Sequence, residues 1–300
     1  MALPHLDPAD PIRQVSARAW MTGLLTLVLM TVAFWAPLTW MIERWTLADS
    51  YYSHGPLVPL VALYFVWRDR RRLLALRAEP STLGLLILLA GLLVLILSGL
   101  FTVYFTAAFG MLLTIWGLCG FLFGRRALRR LAFPVLMLVF MIPLPLSVIA
   151  DVSLRMKLFA TRAALALLGA FGIDSVNDGS KIYLENGATV TVGNACSGLR
   201  SLIALIFLGV LFATLCRLRF WKRIALFASS VPIAILANIV RVFLLCLVAN
   251  QWGERAVHGF VHDASGYLIY LVAFLLLYAT SWLLGLGEDP SGGASQGGEP

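Results

Sequence analysis

"DVSLRMKLFATRAALALLGAFG", Asp151 to Gly172, decides how the chain is threaded. Its second half is apolar enough for a membrane span, but Arg155, Lys157 and Arg162 interrupt the first half. If this segment crosses a bilayer, every later loop changes side. If it lies flat as an amphipathic helix, the sides are kept. The rest of the sequence chooses between the two.

The 300 residues are 60% hydrophobic and 13% charged, where a soluble domain carries about 25% charged residues. Repeated Leu-rich runs near the length of a bilayer core point to a polytopic membrane protein. In lipid each backbone amide must be satisfied internally, so only helices or a closed barrel can span. Long, non-alternating runs select helices. The expected fold class is therefore an all-α polytopic membrane protein with about eight transmembrane helices. The expected spans are 19–42, 55–67, 82–100, 103–123, 131–150, 199–215, 224–249 and 264–286. The first run is too long for a signal-peptide core and no small-residue cleavage site follows it, so it reads as a retained span.

Most of the 23 basic residues sit in short stretches between these runs. They cluster at Arg13 and Arg18, at 68–77, at 125–130 and at 217–223. With eight spans and Asp151–Gly172 lying flat in the outer interface, all four clusters fall on one side. That side is cytoplasmic by the positive-inside rule, and both termini are cytoplasmic with it. A spanning Asp151–Gly172 would push the 217–223 cluster outward, against the rule. The net charge of +8 is thus a topology signal and does not imply a nucleic-acid partner. The domain reading is a leader over 1–18, a transmembrane domain over 19–286, and a Gly/Ser/Pro-rich, disordered cytoplasmic tail over 287–300.

After Gly172 the sequence turns polar. "KIYL" and "TVTV" flank "ENGA", whose Asn186-Gly187 is a strong hairpin turn signal. A small extracytoplasmic β-hairpin therefore leads into "GNACSGLRS", Gly193 to Ser201. Cys196 precedes span 199–215 on the outer side. Arg241, in "AILANIVRVFLLCLVAN", lies about 26 Å along its helix from residue 224, at 1.5 Å per residue. That depth is near the outer boundary of a core about 30 Å thick. His262 opens the last span on the same side. Three chemically distinct groups thus reach one depth, although hydropathy says nothing of their lateral spacing.

Arg241 either snorkels to the headgroups or faces the bundle interior and meets an anionic group. Asn238, three residues earlier, shares its helix side. Cys119, Cys216 and Cys246 read as small apolar fillers, and the four cysteines lack the spacing of a disulfide framework or a metal site. Cys196 differs, because Gly, Asn and Ser surround it at a boundary. A helix starting near Ser197 would favour a thiolate there. Ser197 is the competing nucleophile, or a cap. His258 and His262 are four apart, a metal-ligand spacing on a helix, but Gly259 weakens a helix and no third ligand stands out. The expectation is no metal and no cofactor. His262 is the better general acid and base; His258 and His54 read as a loop residue and an interfacial anchor.

"NACSGLRSL", "ANIVRVF" and "HDASGYLIYLVAF", in that order on the last three spans, resemble the exosortases. "YYSHGPLVPLVALYFVWRDRRR" resembles their amino-terminal region, so the likeness runs from about Tyr51 to Leu284. The resemblance implies a membrane-embedded cysteine peptidase or transpeptidase of the inner membrane, its site facing outward. It implies Cys196 as nucleophile, His262 as general acid and base, and Arg241 as oxyanion stabiliser. Asn194, Ser197, Gly198, Asn238 and Asp263 are the supporting candidates. It also implies partners: exported, membrane-anchored substrates with a carboxy-terminal tail of a short motif such as Pro-Glu-Pro, one span and basic residues. Such systems often accompany exopolysaccharide genes. Three other classes meet the same composition. A transporter or lipid-linked sugar flippase would hold its charges near the midplane. A noncatalytic assembly subunit would not need Cys196. An intramembrane serine protease would use Ser197.

Overall fold

The computed structural model describes residues 17–47, 49–76, 79–193, 196–216, 218–257 and 259–285. It is 79% helical. Two compact units emerge, one of residues 1–43 and 58–142, the other of 44–57 and 143–300. The leader and the tail expected at the two ends lie outside the described residues, apart from Ala17 and Arg18.

In the first unit, α1 (Ala17–Ala33) meets α2 (Trp35–Thr46) at a bend of 67°. Pro37 accounts for the break. It has no N–H to give the Ala33 carbonyl, and its ring crowds that carbonyl. Two short helices follow, α3 (Leu57–Arg68) and α4 (Arg70–Leu74), then α5 (Thr82–Leu100) and α6 (Tyr104–Met137). Glycines let α5 and α6 pack backbone against backbone. A Cβ on Gly117 would sit 2.2 Å from the Leu88 nitrogen, and one on Gly91 2.5 Å from the Thr114 nitrogen. Small residues at such contacts are how helices associate in lipid, where hydrophobicity cannot drive them together.

Helix α6 is two limbs joined at Gly124, whose φ of 86° lies in the left-handed region. The Trp116 indole donates to the Leu128 carbonyl at 2.8 Å. A straight helix would hold residues twelve apart at about 18 Å, so the chain doubles back at Gly124. Arg125 to Arg130 are helical rather than a loop. Asp69 pairs with Arg130 at 3.0 Å and with Arg72 at 3.8 Å, so two of the basic clusters lie side by side.

The expected span 131–150 is corrected. Helix gives way to a 3-10 turn at Leu138–Met141 and then to non-helical chain through Pro145. Pro143 and Pro145 remove donors and push the residues before them out of helical geometry. A single helix, α7 (Leu146–Ala170), then takes in both the end of that expected span and the segment expected to lie flat. Among the described residues four helices are long and apolar enough to cross a membrane, or five with the bent α1–α2 pair counted as one. The expected spans 55–67 and 199–215 are helices of 12 and 17 residues. Both fall short of the roughly 20 that cross unaided.

In the second unit, β1 (Ser175–Asp178), β2 (Lys181–Leu184) and β3 (Thr189–Thr191) form an antiparallel sheet in that order. The β2–β3 turn falls at Asn186-Gly187, with Gly187 at φ 82°. Asn186 accepts from the Ala188 amide and donates to the carbonyls of Ala249 and Asn250. The hairpin is thereby pinned to α9 (Phe220–Trp252). The other helices are α8 (Leu199–Leu215) and α10 (Phe260–Gly285). Ala160, Ala164 and Leu168 of α7, Ile182, Val190 and Val192 of the hairpin, and Val242, Leu245 and Cys246 of α9 make one buried cluster. Cys196 stands in it.

Gly117→Ala should force α5 and α6 apart, an overpacking cost of about 1–3 kcal/mol, and lower the detergent-solubilised melting temperature by several degrees. Gly99→Ala, with open space around its Cβ, should leave that temperature unchanged or raise it.

Candidate functional site

The site forms where the chain ahead of α8 meets α9 and the start of α10. Cys196 is 4% exposed, and its amide donates to the Gly193 carbonyl at 3.1 Å. Ser197 is fully buried, and its hydroxyl accepts the Leu199 amide at 3.3 Å. Gly198 follows at φ 76°. A Cβ there would lie 2.6 Å from Asn238 Cγ. Only glycine meets both demands, the left-handed backbone and the flat contact. The turn bearing Cys196 is thus seated on Asn238, itself 3% exposed.

Arg241 lies one turn beyond Asn238 on α9 and is 9% exposed. It does not snorkel. Its Nε donates to Ser265 Oγ of α10 at 3.1 Å. Gly266 packs on the guanidinium, since a Cβ there would lie 3.3 Å from Nη2. The charge of Arg241 reaches Cys196. The two side chains are therefore within electrostatic range of each other. A cavity of about 250 Å³ opens on Cys196, walled by β3, Leu245, Glu254 and Val257. Ser197 does not line it.

Burial pushes the Cys196 thiol above its ordinary value, and the Arg241 charge pulls it part of the way back. The condition that would favour a thiolate, a helix starting near Ser197, is not met. Helix α8 starts at Leu199, three residues on, and the thiol is enclosed by apolar side chains. A neutral thiol needs a base to become a nucleophile.

His262 and Asp263 fall in the first turn of α10, ahead of Ser265 and Gly266; their side chains lie outside the described set, as do Asn194 and His258 altogether. His54 is elsewhere, its ring stacked between Tyr52 and Phe207 at centroid distances of 5.8 and 5.9 Å. Among the described residues no group of three His, Cys, Asp or Glu side chains has the geometry to hold a metal ion. None of the four cysteines is joined in a disulfide.

The model of the family described as transmembrane exosortase (Exosortase_EpsH) matches residues 40–279. The chain belongs to this exosortase family. No curated protein and no solved structure matches it. In this exosortase-family protein, sequence reasoning passed over three neighbours of the site. Ser265 and Gly266 hold Arg241, and "HDASGY" carries them in plain view, but only the packing of α10 on α9 gives them a partner. Arg200, on α8, pairs with Asp49 at 3.6 Å and, like Arg241, lies within electrostatic range of Tyr270. No sequence signal links those three.

Alkylation of Cys196 by iodoacetamide should rise with pH, with a midpoint above the ordinary thiol value. Arg241→Ala removes the positive charge that favours the thiolate, so the midpoint should move further up. The rate near neutral pH should fall roughly several-fold, read by mass spectrometry of the Cys196 peptide. Gly198→Ala should disrupt the same turn, raising the exposure of Asn238 to solvent and lowering thermal stability.

Proposed function

We propose that this exosortase-family protein is a cysteine endopeptidase or transpeptidase of the inner membrane, cutting the carboxy-terminal sorting tail of exported proteins. The observation that carries this reading is the cavity opening on Cys196, with the buried Arg241 charge acting on the same thiol. A fixed cation behind a thiol in a water-poor site suits acyl transfer, where negative charge develops on a carbonyl oxygen. The proposed orientation puts both termini in the cytoplasm and the sheet, Cys196 and the start of α10 at the outer face.

The proposed chemistry runs in two halves. His262 takes the Cys196 proton as sulfur attacks the peptide carbonyl. Arg241 stabilises the resulting oxyanion. The C–N bond breaks, His262 returns the proton to the leaving amine, and the substrate's new carboxyl end is held as a thioester. An acceptor, water or an envelope nucleophile, then gives its proton to His262 and attacks the thioester, and the Cys196 thiol reforms. Asn238 and Gly198 position the nucleophile's turn, with Asn194, Ser197 and Asp263 in support. The substrate's own span would lie against the helices and hold the motif at catalytic depth, a positioning effect. Exopolysaccharide-linked surface sorting is the proposed setting. Ser197 is a poorer nucleophile candidate than Cys196, because its buried hydroxyl already accepts a backbone amide.

The test is co-expression with a reporter: an exported domain, a Pro-Glu-Pro motif, one apolar span and a basic cluster. Wild type should remove the tail on an immunoblot. Cys196→Ala, Arg241→Ala and His262→Ala, at equal membrane abundance, should each lose at least about a hundredfold in rate. Tail removal by Cys196→Ala at the wild-type rate would sink the thiol mechanism.

A further inference from the structure

Among the described residues β3 is one of the two edge strands of its sheet, and its residues line the cavity beside Cys196. The register says which of its main-chain groups face away from β2. The Leu184 amide donates to the Ala188 carbonyl at 2.9 Å, and the Val192 amide to the Ser180 carbonyl at 2.8 Å. Ile182 pairs with Val190 between them. Hydrogen-bonded pairs alternate along an antiparallel ladder. Ala188, Val190 and Val192 therefore direct their main-chain groups at β2, and Thr189 and Thr191 direct theirs away from it. Thr189 and Thr191 both line the cavity that Cys196 closes. A second cavity, of about 550 Å³, continues from the hairpin turn, walled by Asn186, Gly187, Trp252 and Arg255. Glu254 lines both.

An unpaired strand edge is a template for another extended chain. The geometry points to a peptide-binding subsite: the substrate segment just upstream of the scissile bond adds to the sheet as a fourth strand on β3, running toward Cys196 in the same sense as β3. This rests on the peptidase reading above, which makes the exported part of the substrate the upstream part. The occupant is extended main chain, because outward N–H and C=O groups at Thr189 and Thr191 recur at the two-residue spacing of a strand. Such pairing is indifferent to side chains, so it positions many substrates and leaves sequence choice to the pocket walls. It also aligns the scissile carbonyl with the thiol at the end of the strand.

Thr191→Pro tests it, because it deletes an N–H that points away from β2 and leaves the bonds to β2 in place. Tail removal from the reporter should slow about tenfold or more, the equivalent of one good hydrogen bond to the substrate. Iodoacetamide labelling of Cys196 should keep its wild-type rate, which a collapsed site would not. Asn177→Pro, on the opposite edge of the sheet, should cut at the wild-type rate. Wild-type cleavage by Thr191→Pro would overturn the proposal. A second measurement separates this subsite from the mechanism. The reporter carries a photo-crosslinking residue three positions upstream of the bond and is combined with full-length Cys196→Ala protein. Crosslinks mapping to residues 188–191 support the subsite even if wild type never cuts, an outcome that sinks the peptidase reading alone. Crosslinks that avoid β3 overturn the subsite even if wild type cuts.

Discussion

A guanidinium buried between two helices is the constraint around which the second unit is arranged. Removing a charge from water costs several kcal/mol unless partners replace the hydration. Arg241 is met by a hydroxyl, Ser265, on the neighbouring helix. Gly266 lets α10 come close enough for that bond to form. A larger residue at 266 would press on the guanidinium, and a smaller one does not exist. The same economy recurs one turn earlier on α9, where Gly198 lies flat on Asn238. Glycine is used in both places for the absence of a side chain, so that polar groups on separate segments can touch.

The consequence for chemistry is a thiol that is held rather than activated. Cys196 sits among apolar side chains of α9 and the sheet, and enclosure favours its neutral form. The nearby Arg241 charge works the other way. Their opposition suits the nucleophile role proposed for Cys196, in which ionisation waits for a base and a substrate carbonyl. A permanently exposed thiolate would be open to oxidation. The sheet has a matching double role. Its buried face joins the core cluster, and its free edge borders the cavity.

Much of this was legible in the chain. Hydropathy and charge identified the helical membrane class, and the family match agrees with the motif resemblance. The hairpin turn was readable from Asn186-Gly187, because few residues tolerate that backbone. Strand β1 was not readable, since "SVND" has no apolar alternation and is a strand only because β2 pairs with it. The break between α6 and α7 carried a signal, Pro143 and Pro145, which a span defined by hydropathy alone overrode. The fold-back at Gly124 was hidden for the same reason: glycine is neutral in hydropathy and decisive in φ.

By itself the sequence determined the class of the protein and the order of its polar motifs, and it set an expected membrane depth for Cys196, Arg241 and His262. Depth follows from counting residues along a helix, a one-dimensional quantity. Only the tertiary structure decided which way Arg241 points, that Ser265 and Gly266 receive it, that Asn238 carries the Cys196 turn, and that β3 leaves an edge beside the thiol. Each of these depends on the rotation of one helix against another. That phase is set by the packing of side chains from distant parts of the chain, and no local run of residues encodes it.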